Sequence, residues 1–135
     1  MMTPLQSNER CAMSGAKCLL DTNVVIGLLK QQAAAIELTE AHQLDSGQVA
    51  ISQITRMELL GFPGLPEAEE QRIQGFLQSC LVLLIDEAVE QQAIQLRRSG
   101  NCKLPDAIIV ATAQVHQLTL LTLDQRLEKL AAQLK

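Results

Sequence analysis

Short apolar runs alternate with longer amphipathic stretches along this chain, and the alternation predicts its elements in order. Cys18-Leu19-Leu20 has no helical period and reads as a strand buried on both faces. Asp21-Thr22-Asn23 follows, then helical patterns over Val24–Leu29 and Ala33–Leu44, the second with Ala33, Ile36, Ala41 and Leu44 interleaved with Glu37, Glu40 and Gln43. Asp45-Ser46-Gly47 predicts a turn. Gln48–Ile51 predicts a second strand, leading through Ser52 into a helix that carries Glu58, ends at Leu60 and is stopped by Gly61 and Pro63. Pro66 opens a polar helix over Glu67–Ser79 whose Ile73, Phe76 and Leu77 make a narrow apolar stripe. With Phe62 and Leu65 beside it, that stripe reads either as a partner surface or as cover for a sheet edge.

Leu81–Ile85 predicts a third strand, and Asp86 a cap for the helix Glu87–Ser99. Arg97 and Arg98 in its last turn, followed by Gly100, suit the helix dipole and an αL cap. Leu104–Val115 is the most apolar helical stretch and must be buried nearly all round, with Pro105 in its first turn where a missing N–H costs nothing. Thr119–Leu123 predicts a fourth strand, Asp124 follows, and Leu127–Leu134 a last helix. No Asn-Gly or Asp-Gly turn joins two strands directly. The expected fold class is therefore α/β: a three-layer α/β/α sandwich around a central parallel sheet, with right-handed crossovers. Met1–Gly15 shows no period and is expected to be a loose leader or a late start, with a single domain over residues 16–135.

Composition narrows the functions. A 47% hydrophobic content is ample for one core, and with two Phe and no Trp or Tyr the core must be aliphatic. Single-strand binding on aromatic platforms is disfavoured for the same reason. A net charge of −4 argues against a wide basic face for nucleic acid, while leaving room for a local basic lip. The four cysteines, Cys11, Cys18, Cys80 and Cys102, form no Cys-x-x-Cys pair, and only His42 and His116 could join them, which argues against zinc. No signal-peptide core and no apolar run near the roughly 18 residues of a membrane span are present, so a cytoplasmic location with no membrane partner is expected.

Four acids hold comparable places: Asp21 after the first strand, Glu58 on the helix after the second, Asp106 in the first turn of the apolar helix, and Asp124 after the fourth strand. Each has a plain alternative. Asp21 or Asn23 can turn the chain and cap a helix, Thr55-Arg56-Met57-Glu58 fits a capping box, Asp106 can answer a helix dipole, and Asp124 can be an N-cap. Jointly they end at one edge of a parallel sheet, where ligands gather. Two bare charges at 4 Å repel by about 4 kcal/mol at an effective dielectric of 20, so converging acids need a cation. Hard oxygen ligands select Mg²⁺ or Mn²⁺, and such an ion in a shallow crevice suits phosphoryl chemistry.

At these residues the chain resembles the PIN-domain family, and within it the VapC-type toxins. The matching motifs are Leu19-Leu20-Asp21-Thr22-Asn23, Met57-Glu58-Leu59-Leu60, the run Leu104 to Ala113 that begins Leu-Pro-Asp-Ala-Ile-Ile, and Leu121-Thr122-Leu123-Asp124, spanning Ala16 to about Leu130. The resemblance implies a PIN-like fold and a metal-dependent endoribonuclease. Asp21, Glu58, Asp106 and Asp124 would hold one or two Mg²⁺ or Mn²⁺ ions, with Asn23 and Thr122 orienting ligands or water. It also implies a homodimer inhibited by a cognate antitoxin whose tail enters the acidic groove. Two departures stand out: Gln125-Arg126-Leu127 replaces a frequent aromatic residue after the last acid, and the usual fifth strand after the final helix is not evident before Lys135, so a sheet of four, or five, strands is expected.

Arg97, Arg98, Lys103 and Arg126 are candidates for RNA phosphates, or else plain solvated charges. Cys102 reads as a bystander. The rival readings are a PIN-like binding module without turnover and a receiver-like signalling domain with Asp86 as phospho-acceptor. The second would want adjacent acids after the first strand and a lysine after the last, where the chain has Asp21-Thr22-Asn23 and Asp124-Gln125. A haloacid dehalogenase-type phosphatase would want an acid at Asn23.

Overall fold

The computed structural model describes residues 15–133. The leader expected over Met1–Gly15 lies, apart from Gly15, outside them, as does Leu134. Four strands, β1 (Cys18–Leu20), β2 (Val49–Ser52), β3 (Leu81–Leu83) and β4 (Thr119–Leu121), form one parallel sheet in the order β3-β2-β1-β4. The connecting helices are α1 (Thr22–Leu29), α2 (Ala33–Ala41), α3 (Gln53–Leu60), α4 (Glu67–Gln78), α5 (Glu87–Ser99) and α6 (Leu104–Val115), and α7 (Gln125–Gln133) follows β4. The chain winds outward from β1 to β3 and then returns to the other flank of β1 with β4. That reversal opens a crevice at the carboxyl ends of β1 and β4, the switch point where open α/β sheets bind ligands. A receiver-like domain orders its strands 2-1-3-4-5, so this sheet order overturns that reading.

The pleat sends alternate residues to opposite faces. Cys18, Leu20, Ile51 and Leu121 pack with Val24, Ala35, Leu59, Ile73 and Leu77 on the face covered by α1 to α4. Leu19, Ala50 and Leu83 face Ile109 and Ala113 of α6. The opposite side of α6, Ala107, Val110 and Ala111, packs on Val89, Ala93 and Leu96 of α5 and on Leu127 of α7. Residues Ala107 to Ala113 are buried without a break, as expected of a helix enclosed between a sheet and two other helices. Among the described residues no helix is long and apolar enough to cross a membrane.

Several departures from the expected boundaries arise where side chains bond to nearby backbone. The first helix starts at Thr22 rather than Val24, because the Asp21 carboxylate accepts from the Thr22 N–H. The second ends at Ala41 instead of Leu44, with Gln43 in the left-handed region at φ 52°. The turn at residues 45–47 is a single 3₁₀ turn over Ser46–Gln48, closed by a capping box between Asp45 and Gln48. Ser52, not Thr55, caps α3, so the Thr55–Glu58 capping box, the plain alternative for Glu58, is absent. β3 and β4 are each two residues shorter than expected, α7 starts at Gln125 rather than Leu127, and Gly100 is extended (φ −122°) rather than αL. The stripe on α4 is core: Ile73 and Leu77 are buried and Phe76 packs against them, leaving Phe62 exposed. Four strands are present among the described residues, with no fifth.

Gly27 lets α1 and α2 approach closely, since a Cβ there would stand 2.6 Å from the Ala35 Cβ. Gly27→Ala should therefore lower stability by about 1–3 kcal/mol through overpacking, against the roughly 1 kcal/mol gain in helix propensity. Adding Ala35→Gly to the same chain should recover part of the loss, read by thermal and urea denaturation.

Candidate active site

Asp21 leaves the end of β1 at the switch point, with its N–H donating to the Leu121 carbonyl of β4 at 2.9 Å. It is 5% exposed. One carboxylate oxygen accepts from the Thr22 N–H at 2.7 Å and the other from the Thr122 hydroxyl at 2.7 Å. Thr122 is itself held, its oxygen accepting from the Asp124 N–H at 3.0 Å and standing 3.4 Å from Asn23 Nδ2. Asn23 Oδ1 accepts from the Leu123 N–H at 3.1 Å, so the start of α1 is tied to the loop after β4. Burial pushes the Asp21 carboxyl above its ordinary value; the bonds from Thr122 and Thr22 pull it down, and the charges of Asp106 and Glu58 raise it again.

Glu58 enters from α3, where its Oε1 accepts from the Thr22 hydroxyl at 2.7 Å. The Thr22 oxygen also lies 3.0 Å from Thr55 Oγ1, and Thr55 is fully buried. Sequence reading missed Thr22 as a site residue and Thr55 as the buried hydroxyl behind it. Thr22 was visible only as the middle of the Asp-Thr-Asn triplet, and its role depends on the helix starting there, which puts its hydroxyl opposite α3.

Asp106, in the first turn of α6, and Asp124, before α7, line a pocket of about 430 Å³. Burial and the neighbouring charge of Asp124 push the Asp106 carboxyl up, against the opposing pull of Lys103 and Arg126. Asp124 is also the cap of α7, accepting from the Arg126 N–H at 2.9 Å, and the Arg126 guanidinium stands 3.7 Å from it. The helix-cap readings thus hold for Asp21 and Asp124. Of the cationic candidates, Lys103 and Arg126 line the pocket. Arg97 is not in the lining and donates to the Cys102 carbonyl at 2.7 Å, and Arg98 is exposed outside the pocket lining. Asp86 caps α5 through the Val89 N–H at 3.0 Å.

Glu58 and Asp106 therefore act electrostatically on Asp21, and Asp124 on Asp106, which links the four acids in a row along one sheet edge. Among the described residues, no three Asp, Glu, His or Cys side chains are gathered tightly enough to enclose an ion as they stand. The donor chemistry still fits a hard divalent cation: the groups are carboxylates and hydroxyls, and the Asp21 and Asp106 carboxyls are pushed up by burial and by neighbouring acids, a repulsion that a cation relieves.

The family model of the PIN domain matches residues 18–133. The chain belongs to the PIN-domain family. Among solved structures it is 36% identical to a chain of a toxin–antitoxin complex from Klebsiella pneumoniae, covering 82% of this chain and 88% of that one at a TM-score of 0.70. It is 29% identical to a chain of FitAcB from Neisseria gonorrhoeae, with 85% and 93% covered and a TM-score of 0.69. Against DNA-bound VapBC from Salmonella typhimurium the identity is 26%, with 84% and 91% covered and a TM-score of 0.72. Its likeness within the family is thus to the VapC type. No curated protein matches the sequence.

The raised Asp21 pKa carries a sign for stability. Between its unfolded value near 4 and its higher folded value, the folded state holds a proton that the unfolded state has lost, so this group's contribution falls as pH rises through that window. In chelator, the stability of wild type relative to Asp21→Asn should decline as pH rises above about 4 and level off above the raised folded value. A parallel pair of curves, from denaturation at each pH, would show that Asp21 is not so perturbed.

Proposed function

We propose that this chain is the toxin of a toxin–antitoxin pair: a cytoplasmic, homodimeric endoribonuclease that hydrolyses RNA phosphodiester bonds with Mg²⁺ or Mn²⁺. The observation that carries the reading is Asp21, a buried carboxylate pinned at the switch point beside the charges of Glu58 and Asp106. Such a group is costly in isolation and useful where a cation and a phosphate meet. The likeness to chains of toxin–antitoxin complexes supports the biological setting.

In this reading Asp21, Glu58, Asp106 and Asp124 hold the metal. When bound, a divalent ion lowers the pKa of a coordinated water and steadies charge on the phosphate oxygens. Thr122 and the Thr22 N–H fix both oxygens of Asp21, and the Thr22 hydroxyl fixes one of Glu58, so these carboxylates are oriented before substrate arrives. Lys103 and Arg126 meet the RNA backbone from the rim. Hydrolysis places the water oxygen on phosphorus and breaks one bridging P–O bond. One water proton passes to the departing oxygen and the other to solvent.

The antitoxin has an apolar seat on the other side of Glu58, in a groove lined by Ile26, Leu29, Leu59, Phe62 and Leu65. Phe62 is 66% exposed there, more than a large apolar side chain needs to be without a partner. A tail lying in this groove would run past Glu58 toward the acids and compete with RNA.

Purified protein with structured RNA and Mg²⁺ or Mn²⁺ should cut it, and Asp21→Ala or Asp106→Ala should lower the rate by about a hundredfold or more, beyond the effect of an outer-shell change. Equal cleavage by the variants, or in excess chelator, would sink the assignment; no cleavage under any condition would leave the binding module. Expression in a heterologous host should slow growth unless the neighbouring gene is supplied, with the acid variants harmless. Phe62→Asp should keep its toxicity when that gene is present, and equal toxicity of wild type and acid variants would remove the toxin reading.

A further inference from the structure

We propose that the pocket between the α5–α6 loop and α7 receives a single nucleotide of the RNA, adjoining the phosphate that is cut. This rests on the ribonuclease reading above and names the part of the substrate that sets its specificity.

Position, size and charge point the same way. The pocket opens directly from Asp106 and Asp124, and its volume of about 430 Å³ falls in the range that holds a small organic ligand. Its lining includes three cations, Lys103, Arg126 and Lys129, against those two acids, in a chain whose net charge is −4. The apolar groove on the Glu58 side has Lys30 against Glu58 and Glu69, and the pocket at the far end of α7 has only Glu128. A polyanion crossing the acids would therefore leave on the α7 side, where cations outnumber carboxylates.

The interior suits a nucleoside rather than a bare phosphate. Leu127 and Leu130 give it an apolar floor, which a base or ribose can cover although the chain has no Trp or Tyr to stack. The wall is braced: Arg97 donates to the Cys102 carbonyl, and the Gly100 backbone sits so near Leu130 that a Cβ would meet its methyl at 3.3 Å. Asn101 on that wall carries an amide able both to donate to and to accept from a base edge. Arg97, read from sequence as a possible phosphate contact, acts here as a positioning residue for the loop.

Cys102 lines the same pocket as a free thiol and serves as the reporter. In chelator at alkaline pH, alkylation of Cys102 is followed by peptide mass mapping, with Cys80 as internal control, in the presence of AMP, CMP, GMP, UMP, ribose 5-phosphate or inorganic phosphate. At least one mononucleotide should slow Cys102 alkylation severalfold without changing Cys80, ribose 5-phosphate should do so less, and the exposed Lys129→Glu variant should lose the protection. Lack of protection by every mononucleotide at millimolar concentration overturns the proposal, as does equal protection by inorganic phosphate, which would make this a phosphate site only. The two readings fail separately: RNA cleavage without protection removes the nucleotide pocket, and protection without cleavage of any RNA removes the ribonuclease. In a cleavage-site map of a randomised RNA, Asn101→Ala should change base preference at one position beside the cut; an unaltered map would overturn the role of Asn101.

Discussion

A carboxylate taken out of water at the end of a central strand is the constraint on which this molecule is built. Removing the Asp21 charge from solvent costs several kcal/mol unless hydrogen bonds and a cation compensate. The protein supplies two strong donors, the Thr22 N–H and the Thr122 hydroxyl, from two different elements. Each requires a piece of the fold to be in place: the first needs α1 to begin immediately after β1, and the second needs β4 to lie alongside β1 in register, Leu20 opposite Leu121. The site and the switch-point topology are thus one feature seen at two scales.

The most apolar helix has a comparable double duty. α6 is enclosed by the sheet on one side and by α5 and α7 on the other, which fixes its axis firmly. Thr112, fully buried within it, donates to the Ile108 carbonyl at 2.7 Å and stands 3.3 Å from Ser52 Oγ, linking the middle of α6 to the end of β2. Asp106 extends from the N-terminal turn of this rigid element, so an acid that is only half-buried is nonetheless placed by the whole core. Precision at a polar edge is obtained here from apolar packing several residues away.

Charge is distributed with the same economy. An acidic protein can meet a polyanion only where cations are concentrated, and Lys103, Arg126 and Lys129 collect on one side of the acids while an apolar groove containing the exposed Phe62 lies on the Glu58 side. In the proposed function, the two flanks of a single site would take chemically different visitors, a nucleic acid and an apolar inhibitor segment.

Much of this was legible before any coordinates. Periodicity alone located the sheet-forming runs and the helices, because burial on two faces, or on one stripe, demands patterns that few other structures share. The bounds of α5 and α6 follow directly from Asp86, Pro105 and the apolar run, and the four acids with their Leu-Asp-Thr-Asn and Leu-Pro-Asp contexts identified the family. Strand order was not written locally, since β1 pairs with β4 across about a hundred residues. Nor were the partners of individual side chains. That Thr22 serves Glu58, that Arg97 braces a loop, that Thr55 is core rather than cap and that the α4 stripe faces inward are all decided by which surfaces meet. Local sequence specifies what an element must bury; only the assembled sheet specifies what each exposed hydroxyl, guanidinium and carboxylate finds opposite it, because those contacts join positions that have no other reason to be related.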